Sequence, residues 1–231
     1  MSFVIGAPKQ VTVPVVGTSD TFPVARIYCV GRNYVEHAQE MGFTGREPPF
    51  FFMKPADALV IANPSETANV PYPSLTKDYQ HEIELVVCIG KGGKNIKAAD
   101  AASHIYGYAV GLDMTRRDLQ GEAKKLGRPW DIGKGFDHAA PIGHIYPAAQ
   151  AGDVANAEIY LQVNGKDRQR STVTKLIWNI GEIIEHLSTA WELQAGDLIY
   201  SGTPAGVNAV VAGDTMVGGV GGLGTISICV K

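Results

Sequence analysis

The stretch Glu82-Ile83-Glu84-Leu85-Val86-Val87-Cys88-Ile89 decides how this chain is read. Its aliphatic and β-branched run, closed by the turn Lys91-Gly92-Gly93, marks a buried strand. The two glutamates stand at i and i+2, so they leave the same face, roughly 6–7 Å apart at their side-chain origins. Parallel carboxylates entering an apolar core repel each other and lose hydration unless a cation or protons compensate. All-oxygen donors suit a hard divalent ion, Mg²⁺, Mn²⁺ or Ca²⁺, better than zinc. A second strand over residues 105–113 ends on Asp113, the natural third ligand. Spacing alone leaves another reading equally open, in which Glu82 and Glu84 lie on a solvated face and pair with lysines.

Outward from this strand, residues 11–16, 26–30 and 50–53 also read as extended chain, with a helix expected over 33–41. Thr115 followed by Asp118 has the spacing of a capping box and predicts a helix over 116–126. Residues 98–104 look helical. Residues 159–163 before Asn164-Gly165 predict a hairpin. Ile180, Ile183, Ile184 and Leu187 recur at helical spacing behind Asn179, a plausible cap. Residues 198–200, 215–217 and 225–230 close the chain as strands. Strands outnumber helices without strict βαβ alternation, which predicts a mixed, strand-rich α+β fold.

The bulk figures narrow the function. Hydrophobic residues make up 45% and charged ones 19%, the balance of a globular protein. A net charge of −3 supplies no basic field for nucleic acid or an anionic membrane. The apolar run 85–89 is far too short to span a bilayer. Residues 1–20 carry no signal-peptide stretch, so a cytoplasmic location is expected. Cys29, Cys88 and Cys229 lack any CxxC spacing and read as buried structural thiols.

Further blocks then come into register. They are Cys29-Val30-Gly31-Arg32-Asn33-Tyr34 with His37 and Glu40, Phe51-Phe52-Met53-Lys54-Pro55, and His81-Glu82-Ile83-Glu84-Leu85. After them come Leu112-Asp113-Met114-Thr115, Arg117-Asp118-Leu119-Gln120, Lys134-Gly135-Phe136 and Ser201-Gly202-Thr203-Pro204-Ala205-Gly206-Val207. In this order the chain resembles the fumarylacetoacetate hydrolase superfamily from about Phe22 to its end. The resemblance implies residues 1–21 as a short leader and 22–231 as one catalytic domain of that family's C-terminal type. It implies a twisted mixed β-sandwich or roll, usually a homodimer, with Mg²⁺ (or Mn²⁺ or Ca²⁺) on Glu82, Glu84 and Asp113.

Residues 47–58, 107–111, 115–120 and 124–131 look most like the subfamily that hydrolyses fumarylpyruvate in gentisate breakdown. Acylpyruvate hydrolases and oxaloacetate decarboxylases share most of these residues. The implied reaction is metal-dependent hydrolysis of a carbon–carbon bond in a small 2,4-dioxo acid, with the pyruvate enolate leaving. His37 and Glu40, three apart, would activate water. Lys134, between two glycines, would face the developing oxyanion. Arg117, Gln120 and Thr203 would touch substrate, with Arg117 equally able to brace the acidic cluster. Arg32 and Lys54 would take the distal carboxylate. A non-catalytic, metal-stabilised dimer module is the alternative of a different class.

Overall fold

The strand around Glu84 runs Ile83–Ile89 and is buried along its whole length. It lies mid-sheet because both faces are covered, and a strand covered twice reads as a continuous apolar run rather than an alternation. A computed structural model describes residues 3–35 and 46–231. Its larger sheet runs in the order Phe50–Lys54, Ile27–Gly31, Leu198–Tyr200, Ile83–Ile89, Ile105–Leu112, Ala140–Ile142 and Leu59–Ile61. Tyr146–Pro147 adds to the outer part of Ile105–Leu112. Pairing is mixed: Leu198–Tyr200 is parallel to Ile27–Gly31 and antiparallel to Ile83–Ile89.

A second sheet orders Lys166–Thr172, Glu158–Val163, Thr215–Val220, Thr225–Val230 and Ala68–Val70. Its hairpin turns at Asn164 (φ 51°) and Gly165 (φ 74°), the two left-handed residues a type I′ turn requires. Ile159, Leu161, Met216, Ile226 and Ile228 from this sheet share one core with Ile27, Cys29, Ile83, Leu85 and Leu112 from the first. The opposite face of the first sheet packs on the helix Ile180–Ala190, through Ile183, Ile184 and Leu187 against Tyr28, Val30, Val87 and Ile89. Full burial of each such aliphatic chain contributes roughly 1.5–3 kcal/mol. Asn179 caps this helix in a complete capping box with Glu182. The fold is therefore strand-rich α+β, a mixed β-sandwich, as the sequence predicts.

Three local expectations differ from what is found. Thr115 does not cap the helix Arg117–Lys125, which has no side-chain cap. The Thr115 hydroxyl instead accepts from Lys134 Nζ at 2.6 Å. Asp118 turns outward and accepts from Lys77 N–H and the Thr76 hydroxyl. The helix expected over 98–104 is one 3₁₀ turn, Ala101–His104. Most of the helix expected over 33–41 lies outside the described residues. Thr12–Pro14 pairs with Thr21–Pro23, so the expected boundary at residue 21 falls within a hairpin whose Val13 and Phe22 are core residues.

Candidate active site

The antiparallel register of Ile83–Ile89 on Ile105–Leu112 sets Ile83 opposite Leu112 and Glu84 opposite Gly111. Asp113 follows directly, and its amide donates to the Glu82 carbonyl at 2.8 Å. Two strand ends thereby bring Glu82, Glu84 and Asp113 together, with one oxygen from each within 4.8 Å of the others. All three are buried, so the solvated-face reading does not describe them.

The cations around them are unevenly shared. Glu82 receives Lys134 Nζ at 2.9 Å and the Arg117 guanidinium. Asp113 receives Lys134 at 2.7 Å and Lys54 at 2.8 Å. Glu84 has one hydrogen bond, from the Gly202 amide at 2.7 Å, and no cation among the described residues. Burial, with Asp113 and Glu82 alongside, pushes the Glu84 carboxyl well above the usual carboxylate range. A buried carboxylate without a counter-charge, beside two more oxygen donors, fits a hard divalent cation.

One lysine stands differently from its expected setting. Lys54, expected at the distal carboxylate, is fully buried; besides Asp113 it donates to the Met114 carbonyl at 3.0 Å and to the Lys134 carbonyl. It does not line the cleft above the acidic cluster. Lys134, between two glycines, ends the short helix Asp131–Lys134, of which only Gly133 and Lys134 itself are buried. Its three N–H donors go to Glu82, Asp113 and Thr115. Gly133 beside it is small for packing: a Cβ there would lie 2.8 Å from the Gln120 Cβ.

The helix Arg117–Lys125 presents Arg117 and Gln120 to the cleft. Arg117 donates to Gln80 and Gln120 at 2.7 Å each and to Glu82, so it braces the acidic cluster as the structural alternative held. Gln120 accepts from Arg117 through Oε1 and keeps its amide nitrogen for the cleft.

Thr203 lines the same cleft on the turn after Tyr200. That turn needs Gly202, whose φ is +105° and whose amide reaches Glu84. Gln169, absent from the sequence-based expectations, orients Thr203. Its Oε1 faces the Ile83 amide, which can only donate, and its Nε2 faces the Pro204 carbonyl, which can only accept. These two backbone groups fix the carboxamide. Nε2 therefore donates to Thr203 Oγ1 at 2.8 Å, and the Thr203 hydroxyl proton is left for the cleft. By the same logic His81 donates to Gln169 from Nδ1 at 2.9 Å, and burial holds its pKa below the ordinary histidine value.

Arg32, held at φ 58° with its guanidinium 5.3 Å from the Phe50 ring centroid, lines the outer cleft with Phe52, Lys124 and Trp130. His37 and Glu40 lie outside the described residues. Thr115, Lys124 and Gln169 were missed by sequence reasoning. The i, i+3, i+7 spacing of Arg117, Gln120 and Lys124 was the available signal for Lys124, whereas nothing local marks Gln169.

Residues 26–231 match the family model "Fumarylacetoacetate (FAA) hydrolase C-terminal". A fumarylpyruvate hydrolase from Ralstonia sp is 50% identical over 184 residues, 80% of this chain and 93% of that protein. The crystal structure of fumarylpyruvate hydrolase from Pseudomonas aeruginosa, in complex with Mn²⁺ and pyruvate, superposes with a TM-score of 0.97 at 53% identity, covering 99% of each chain. A mitochondrial oxaloacetate decarboxylase from Dictyostelium discoideum is 36% identical over 200 residues, 87% of this chain and 90% of that protein.

Proposed function

Because this chain belongs to the fumarylacetoacetate hydrolase family, we propose that it hydrolyses fumarylpyruvate to fumarate and pyruvate on a divalent cation, Mg²⁺, held by Glu82, Glu84 and Asp113. The observation that carries the reading is Glu84, buried in a carboxylate cluster at the floor of a cleft and lacking a counter-cation among the described residues. When bound, a divalent cation there supplies Lewis-acid stabilisation of the charge that develops on a 2-oxo acid.

The chain's own residues supply the rest. Lys134 stands between Glu82 and Asp113 and lines the cleft with a buried ammonium, whose field would favour negative charge developing on the substrate. That field acts without a donor to spare, because its N–H groups are committed. Thr203 donates its hydroxyl to the substrate carboxylate, and Gln120 offers its amide nitrogen. His37 and Glu40 take the water-activating role on the family's pattern. The hydrolase reading is favoured over the decarboxylase by identities of 50% and 53% against 36%. A homodimer in the cytoplasm acting in gentisate breakdown is proposed on the same likeness.

Both fumarylpyruvate and oxaloacetate should be assayed with Mg²⁺ and after chelation. The expected result is fumarylpyruvate turnover that chelation abolishes and Mg²⁺ restores. Turnover of oxaloacetate alone, or turnover indifferent to chelators, would overturn the proposal.

A further inference from the structure

We infer that Lys124 is the specificity residue that receives the second carboxylate of a dicarboxylic 2-oxo acid, at the end of the cleft away from the metal ligands. The inference deepens the function proposed above and rests on its placing the 2-oxo acid end at Glu82, Glu84 and Asp113. Arg117, Gln120 and Lys124 stand at i, i+3 and i+7 of one helix, so they share a face, and all three line the cleft. Seven residues carry Lys124 about 10 Å along the helix axis from Arg117. A row of donors thus begins at the acidic cluster and ends on an ammonium.

Among the described residues that ammonium makes no ion pair, although the charge of Glu82 reaches it. The other lysine of the cleft, Lys134, is matched by Glu82 and Asp113, and Arg117 is matched by Glu82. Among the described residues no carboxylate lies within ion-pair distance of Lys124, whose Nζ sits 4.8 Å from the centroid of the Trp130 ring. Burial, together with the charges of Arg117, Arg32 and Lys134, lowers its pKa to about 8. A solvated surface lysine would be neither half-buried nor so placed. Among the described residues this part of the cleft therefore holds the unpaired ammonium of Lys124 on the Trp130 ring, which packs on Phe52 toward Lys134, an aromatic wall that suits a flat, conjugated acyl chain ending in a carboxylate. Of the two residues the sequence suggested for this role, Lys54 is engaged with Asp113, and Arg32 lines the same cleft beside Lys124.

The test uses Mn²⁺-loaded protein and two stable ligands that differ only at the far end, 2-oxohexanedioate and 2-oxohexanoate, titrated calorimetrically. Wild type should bind the diacid at least about tenfold more tightly, Lys124→Met should lose that preference, and Lys124→Arg should keep most of it. Equal affinities in wild type, or a preference that survives Lys124→Met, would overturn the inference. In kinetics, Lys124→Met should raise KM for fumarylpyruvate by about tenfold and leave acetylpyruvate, which lacks the distal carboxylate, unchanged; equal losses on both substrates would also overturn it. A diacid preference in a protein that turns over no 2,4-dioxo acid would sink the functional reading while leaving the subsite in place.

Discussion

Replacing Lys54 by methionine should cost far more stability than its distance from the cleft suggests. The side chain is fully buried and neutralises Asp113 at 2.8 Å, and Asp113 Oδ1 has no hydrogen-bond partner besides this ion pair. Removing one member of a buried pair typically costs about 3–5 kcal/mol; Asp113 would keep Lys134 at 2.7 Å, but its Oδ1 would be left with no partner. The Met114 and Lys134 carbonyls would each lose a donor as well, which offsets the compensation Lys134 still gives Asp113. At about 2–4 °C per kcal/mol for a chain of this size, the melting temperature should fall by roughly 6–20 °C in chelator. Lys97→Met is the control: its 3.3 Å pair with Glu185 is exposed and should be worth under about 1 kcal/mol. Urea unfolding with and without Mn²⁺ supplies the assay. A cation bound beside Asp113 replaces part of the missing charge, so Lys54→Met should gain more from Mn²⁺ than wild type does. A loss in chelator no greater than that of Lys97→Met, or equal Mn²⁺ gains in both proteins, would refute the reasoning.

Thr203→Val should weaken oxalate binding to the Mn²⁺ protein by about tenfold, the loss of one charge-assisted hydrogen bond, while Thr203→Ser retains it; calorimetry reads both, and unchanged Mn²⁺ affinity separates this from damage to the metal ligands. Asn179→Ala removes the capping box and should cost about 1 kcal/mol in urea unfolding with kcat unaltered. The lowered pKa of Lys124 has a definite sign. Between about pH 8 and its ordinary value the unfolded chain holds more protons than the folded one, so ligand-free stability should rise with pH across that window. The groups acting on Lys124 there are Arg117, Arg32, Lys134 and Glu82. Diacid preference should fade over the same range as the ammonium deprotonates, and melts and titrations from pH 7 to about 10 would show either trend absent.

The parts of the molecule legible in the sequence are those whose cause is local. Residues 83–89 declare a strand because each neighbour favours one, Asn164-Gly165 supplies its own turn conformation, and Asn179 with Glu182 caps a helix within a single turn. Glu82, Glu84 and Asp113 stand at strand ends, so one register brings them together. Lys54 was misplaced because its partners are remote: it reaches the Met114 carbonyl across sixty positions, which no window of sequence displays. Gln169 sits in the polar, mostly exposed stretch Lys166–Thr172, and its partners, His81, Ile83 and the 203–204 turn, lie far along the chain. Gly133 beside Lys134 answers a demand for close packing against Gln120 that the sequence does not display.

That packing constrains how the protein can diversify. Gly133 leaves so little room beside Gln120 that a single methyl group would collide with both its Cβ and its backbone. The inner cleft thus has a set gauge: Gln120 and Lys134 cannot separate or approach without disturbing the pair of helices that carries them. Tolerance for other acyl groups must arise at the rim, where Arg32, Lys124 and Trp130 can be exchanged without touching that spacing.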